Sequence, residues 1–409
     1  MAAEPRSNRL TAAFSVADRY CFGPGSPTTL GVMRILIGFL AFANWCLIGV
    51  HWDSWFSERG YLPNYTSALW FGDRLPLGFG TGLTVPRLNL LHGVTDPRIT
   101  IPFYLGVVLC SLLTCLGLGT RFAAFLLAVG TVTLQHRTGP MLHAGDSVLR
   151  IGVIYLAISP CGRACSLDRL IGIWRNRESH APVRIPVWPQ RIFQYNTALI
   201  YLTTIWLKLH GDKWRWPLMD ATWFTERIPE FYRFPVPEFM RSLWVARAAT
   251  LGTVLVEICL GTIVFLPVAR KWVLLAGLLL HAYIEYSMNI PLFSLLMVSL
   301  YVSFYDGEEI AAWAQRLGLR LRMWHVRVYL PRDTQLTFRA VAFLDAIDPL
   351  KMVSYYPGDG ESWTAARFDG RPIAVAKAVG SRSLGAWVFA WCPSAVTRIL
   401  ARSLRPATA

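Results

Sequence analysis

Between Tyr195 and Asp220 the chain reads YNTALIYLTTIWLKLHGDKWRWPLMD, an apolar run of membrane type that passes through Lys208, His210, Asp212 and Lys213 before any helix breaker. A basic amine is thereby set one or two turns inside the expected membrane boundary. Even the lower, insertion-derived scale assigns about 2.5–3.5 kcal/mol to a lysine at a helix centre, and less near an end, where the side chain can snorkel. Two readings follow. Lys208 is either an end-anchor reaching the interface or an amine held inside the bundle by other polar groups.

Composition fixes the class in which that choice is made. Of 409 residues 54% are hydrophobic and 16% charged, with 17 Trp, which is too apolar for one soluble domain of this length. The net charge of +15 does not describe a nucleic-acid partner, because the arginines lie between apolar runs and form no continuous basic surface. The eight cysteines include no CxxC pair, and the histidines show no HExxH, so neither a redox motif nor a metal site is expected.

In chain order, a polar, Arg-containing segment (1–28) precedes a first apolar span, Thr29–Trp52. Further spans are expected at Ile99–Gly119, Phe122–Gln135, Ser147–Ser159, Ile192–Leu209, Val245–Leu266, Lys271–Met288 and Pro291–Phe304, several shorter than the roughly 17–20 residues that cross hydrocarbon unaided. The expected fold is an all-α integral membrane bundle of about eight transmembrane helices in a lipid bilayer. Arg6, Arg9 and Arg19, then Arg121, then Arg163 to Arg191, then Arg270 and Lys271 all fall on one side of such a bundle. The positive-inside rule makes that side cytoplasmic, with both termini on it. The opposite side receives the long aromatic loops 51–98 and 211–244. The stretch 220–244 reads as one or two short interfacial helices.

The ionisable residues at membrane depth are the candidate chemistry. Glu257 lies well inside the sixth span, in VLVEICLG, where an unpaired carboxylate would need a cation. Arg150, Lys208 and His281 are the available partners. His281 and Glu285 stand one turn apart on one helical face. His136 and His143 bracket a short turn ahead of Asp146 and Arg150. A buried polar network that only fixes helix packing would use the same residues.

The runs HAGDSVLRIGVIYLAISP (143–160), SLDRL (166–170), IYLTTIWLKLHGDKW (200–214) and MNIPLFS (288–294), with the Arg34-bearing first span, resemble the HTTM family, the bacterial relatives of the vitamin K-dependent gamma-carboxylase. The resemblance covers about Thr29 to Asp306, and the membrane domain is accordingly 29–306. It implies that Lys208 falls on a catalytic lysine that deprotonates a reduced vitamin, Glu257 on an acidic residue of the following span, and His143 on a histidine before the fourth span. His281, Arg150 and His210 are then the candidate cofactor-binding residues. The implied cofactor is reduced menaquinone or another vitamin K-type quinone, oxidised to generate a base for proton abstraction or carboxylation. The implied location is the bacterial inner membrane, and the implied partner a peptide or protein substrate or a further subunit. Two features differ from the carboxylase. Tyr286 occupies the histidine position nearest MNIPLFS, and the large luminal domain has no counterpart. The alternative function is a non-catalytic membrane factor for maturation or assembly of a secreted peptide or protein.

Beyond a linker helix at 307–325, residues 326–406 alternate strand and helix patterns. VRVYL and KMVSYY read as strands, Leu336–Asp348 as a helix, Ala366–Val379 as a hairpin about Asp369-Gly370, and Ala390–Leu404 as a last helix. This part is similar to the DCC family of thiol-disulfide oxidoreductases, a thioredoxin-like fold. YLPRDTQLTF stands where that family has its cysteine motif, which implies a degenerate, non-redox cytoplasmic α/β module.

Overall fold

The computed structural model describes residues 9–71, 74–76, 84–138, 142–175, 183–229, 232–235, 237–320, 326–330, 350–351, 353–357, 363–367 and 372–376, and the statements below concern these. The expected helices at 336–348 and 390–404 lie outside the described residues. The chain divides into two compact units, residues 1–162 with 184–305, and residues 163–183 with 306–409.

The first unit opens with α1 (Arg9–Phe22), strand β1 (Pro24–Gly25) and α2 (Thr28–Gly49). The short helices α3 (Trp52–Phe56) and α4 (Asn64–Phe71) and the antiparallel strands β2 (Arg74–Pro76) and β3 (Thr84–Pro86) then lead to α5 (Pro97–Leu116). Helices α6 (Thr120–Arg137) and α7 (Ala144–Ile158) complete this half, and α8 (Leu167–Trp174) belongs to the second unit. After β4 (Ile185–Pro186), antiparallel to β1, come α9 (Trp188–Lys208), α10 (Ala221–Thr225), α11 (Leu243–Gly261), α12 (Pro267–Ser287) and α13 (Phe293–Tyr301). Each of the eight expected spans is a helix. Three of them, α2, α5 and α11, are long and apolar enough by themselves to cross a membrane. The polar lead forms α1, whose Tyr20 ring stacks beneath the Arg191 guanidinium at 4.1 Å.

Local chemistry sets the helix ends. Asp96 caps α5 through Arg98 N at 2.8 Å, Pro97 takes the first turn, and Gly117 at φ 70° closes the helix in the left-handed conformation that glycine adopts without strain. The chain then turns at once into α6. Helix α2 lies so close to α5 that a Cβ on Gly38 would stand 2.7 Å from the Cys115 nitrogen, so only glycine fits there.

Side-chain clamps bind the two ends of the bundle. At one end Thr29 Oγ1 donates to the Tyr305 carbonyl at 2.9 Å, while Gln190 Nε2 donates to Ser303 O and Tyr305 O at 2.8 and 3.1 Å and Gln194 Nε2 to Ser303 O at 2.6 Å. These amides satisfy carbonyls that the final helix cannot satisfy itself. They also put the starts of α2 and α9 beside the end of α13. Arg34, fully buried in α2, reaches Cys161 O at 3.4 Å and so brings in the end of α7. At the other end Arg137, 3% exposed, donates to Leu91 O (3.2 Å), Val94 O (2.9 Å) and Phe56 O (3.1 Å), with Glu58 Oε1 at 3.5 Å. Ser67 Oγ donates to the Arg137 carbonyl at 2.7 Å. One guanidinium thus gathers the long loop between α2 and α5 over the bundle.

The second unit holds α8, α14 (Gly307–Arg320) and a four-stranded sheet of β5 (Val326–Leu330), β6 (Val353–Pro357), β7 (Trp363–Arg367) and β8 (Pro372–Ala376). The order is β6-β5-β7-β8, with β5 parallel to β6 and antiparallel to β7, and β7 antiparallel to β8. Strands lie at the three expected places, the hairpin as Trp363–Arg367 and Pro372–Ala376, which begins three residues earlier than the expected Ala366–Val379.

Candidate functional site

Helices α9, α11, α12 and α13 bring five polar side chains together in the first unit. Tyr201 and Lys208 lie seven residues apart on α9, two turns along one face. Antiparallel α11 packs on that face with an offset, because Gly261 sits against Ala198 and Leu202. Glu257, four residues before Gly261, therefore comes level with the last two turns of α9. A helical side chain leans toward its own N-terminus, so the Lys208 stem runs back along the bundle. Its Nζ meets Glu257 Oε1 at 2.5 Å and lies 4.6 Å from the Trp214 ring centroid. The lysine side chain is 23% exposed and the carboxylate 7%. The Lys208 ammonium thus turns to the carboxylate on the neighbouring helix.

Beneath the ion pair, Tyr201 Oη stands between His281 Nε2 at 2.8 Å and Tyr301 Oη at 2.6 Å. Glu257 is near enough to act electrostatically on both tyrosines, and Lys208 on His281. A Cβ on Gly277 would meet Tyr301 Oη at 2.5 Å, so this glycine on α12 makes the space for the hydroxyl. His281 is 2% exposed, with its ring 5.6 Å from that of Phe293. Two atoms of the group, Glu257 Oε2 and His281 Nδ1, are buried without a hydrogen-bond partner among the described residues. Buried polar atoms are rarely left so unless a water or ligand serves them.

The other residues singled out from the sequence are distributed around this cluster. His143 caps α7: its Nδ1 accepts from Gly145 N at 3.0 Å, its own N–H donates to Asp146 Oδ2 at 3.0 Å, and its Nε2 is 3.4 Å from the same carboxylate oxygen. Gly145 lies against the Phe293 backbone, so Phe293 separates His143 from His281. Arg150 is half-buried on α7 and interacts with Asp146, one turn before it, and with His136. His210 is exposed, with Nδ1 2.7 Å from Trp206 O and its ring 4.7 Å from the Trp206 ring, and it does not join the cluster. Glu285 shares a face of α12 with His281 but is taken by Arg233, which donates to both its carboxylate and its carbonyl. Tyr201 and Tyr301 were not singled out from the sequence. The seven-residue spacing from Lys208 was a usable signal for Tyr201, whereas nothing comparable marks Tyr301.

Residues 81–308, more than half of the chain, match the HTTM domain. The chain belongs to the HTTM family. That family is one of gamma-carboxylase-like membrane proteins, and the matched stretch contains all five residues of the cluster. It ends before the C-terminal sheet. No curated protein and no solved structure matches the chain.

Proposed function

We propose that Lys208, Glu257, Tyr201, Tyr301 and His281 form the proton-transfer site of a quinone-dependent enzyme of gamma-carboxylase type in the bacterial inner membrane. The observation that carries this reading is the inward course of Lys208 to a buried carboxylate with one orphaned oxygen. Glu257 Oε2 offers an acceptor to a hydroxyl, His281 Nδ1 a further polar contact, and the Trp214 ring a flat aromatic wall, which together fit a hydroquinone head. Trp206 and Leu207 beside them are exposed, as expected where a lipid-soluble ring enters from the bilayer. A reduced quinone, when bound, would supply the electrons that reduce both atoms of oxygen, one ending in the epoxide and one in water, and with that reaction a strong base. With the pair's shared proton resting on Glu257 Oε1, the neutral Lys208 Nζ 2.5 Å away takes up a proton, and the Tyr301–Tyr201–His281 chain relays a second along its hydroxyls. His143 and Arg150 would orient groups nearer the loop face.

The reading is tested with full-length protein in nanodiscs supplied with reduced menaquinone, oxygen and bicarbonate. Wild type is expected to form the quinone epoxide and Lys208→Ala to form it at least about 100-fold more slowly, the scale of a lost general base. Equal epoxide from both, or none from either when peptide extracts are also supplied, would remove the enzyme reading. The closed ion pair favours one other reading, a maturation or assembly factor for a secreted peptide, in which the pair only locks the helices. The double variant Lys208→Met, Glu257→Leu, which keeps the packing without the charges, would then still complement a null strain.

The wider architecture belongs to the same proposal: eight spans, both termini cytoplasmic, and a thioredoxin-like C-terminal module without redox cysteines. The sheet order β6-β5-β7-β8 supports the last point. The topology predicts that a single cysteine at Trp216, 85% exposed, is labelled by an impermeant thiol reagent from outside intact spheroplasts. Labelling only after lysis would overturn the orientation.

A further inference from the structure

A second site lies in the loop between α9 and α11. Here a cavity of about 500 Å³ is lined by Glu226, Arg227, Pro229, Tyr232 and Arg241. Glu226 is only 8% exposed. Its Oε1 accepts the Tyr283 hydroxyl of α12, while its Oε2 is buried with no partner among the described residues. Arg227 is braced, with its guanidinium 3.8 Å over the Trp223 ring and Nη1 on Trp223 O at 2.7 Å. Arg241 ends a short 3-10 turn, Glu238–Arg241, on the cavity's rim.

The charges specify the occupant. A plain cation would be opposed by two guanidiniums, and a plain anion by the Glu226 carboxylate. A zwitterion satisfies all three, with its phosphate on the arginines and its ammonium on Oε2. The orphaned oxygen needs an N–H or O–H donor, which a primary ammonium has and a quaternary one lacks. Around the cavity Ile228, Phe234, Phe239 and Trp244 are exposed, the composition of a surface at headgroup depth. We propose that this cavity binds the headgroup of a phosphoethanolamine lipid and discriminates against phosphocholine.

The test is native mass spectrometry of the full chain titrated with phosphatidylethanolamine and with phosphatidylcholine of the same acyl chains. Wild type is expected to prefer the former about tenfold, the scale of one hydrogen bond to a charged group. Glu226→Gln keeps an acceptor for Tyr283 and should abolish the preference. Arg241→Ala should weaken both lipids, and Tyr283→Phe should leave the preference intact, showing that it does not come from general packing. Equal retention of the two lipids by wild type, or an unchanged preference in Glu226→Gln, would overturn the proposal. Soluble glycerophosphoethanolamine should fail to compete at equal concentration. Competition at that concentration would assign the site to a free phosphoamine and overturn the lipid assignment.

Discussion

Lys208→Met is expected to destabilise the bundle by about 3–5 kcal/mol, the usual penalty for removing one partner of a buried ion pair. The reason is the depth of what remains. Glu257 is 7% exposed and would keep a buried carboxylate facing apolar α9. Glu257→Gln should cost less, because Lys208 at 23% exposure can turn toward Trp214 and the interface. The double variant Lys208→Met, Glu257→Leu should recover most of the loss, since a hydrophobic pair of similar volume needs no desolvation. Thermal unfolding in detergent across the four proteins gives the coupling directly. Additive single losses would mean that the two side chains are not a pair in solution. A stable double variant without epoxide activity would separate packing from chemistry.

Arg137→Met is expected to be as damaging, by about 3 kcal/mol or more, through a different route. Three carbonyls, of Phe56, Leu91 and Val94, would lose a charged donor in a place that water reaches poorly. Residues 51–98 should then become sensitive to protease while the helices remain. Arg137→Lys, with one compact ammonium in place of a planar fork, should fall between. Limited proteolysis alongside the melting curve reads both effects, and an unchanged cleavage pattern in Arg137→Met would show that other contacts hold the loop.

The eight helices were legible because their apolar runs stand out by hydropathy, which needs no knowledge of neighbours. Glu257 was legible for the complementary reason: a carboxylate in such a run demands a partner, and three were available. Choosing Lys208 over Arg150 and His281 needed the offset of α11 on α9, which is set by Gly261 fitting against Leu202 and is invisible in either helix alone. The tyrosines were missed because Tyr is ordinary in membrane helices, and because the Tyr201–Tyr301 contact depends on a glycine, Gly277, in a third helix. Nearness in sequence misled for His210. Helix α9 ends at Lys208, so two further residues are enough to turn a side chain away. For Glu285 the shared face was right, but the loop residue Arg233 decided its role.

The glutamine and threonine clamp on Ser303 and Tyr305 bears on biogenesis. Helix α13 has nine residues, and three more in a 3-10 turn follow it, about 20 Å in all, well short of the roughly 30 Å of hydrocarbon. In the proposed eight-span arrangement such a segment is too short to hold its place across the bilayer unaided. Its retention depends on amides and a hydroxyl presented by helices synthesised long before it. In the same proposed arrangement α2 and α9 have to be seated, with Thr29, Gln190 and Gln194 turned inward, before α13 and its 3-10 turn find their partners. A chain cut before Phe293 would still carry Lys208, Glu257 and His281, yet would lack the Tyr301 hydroxyl that meets Tyr201.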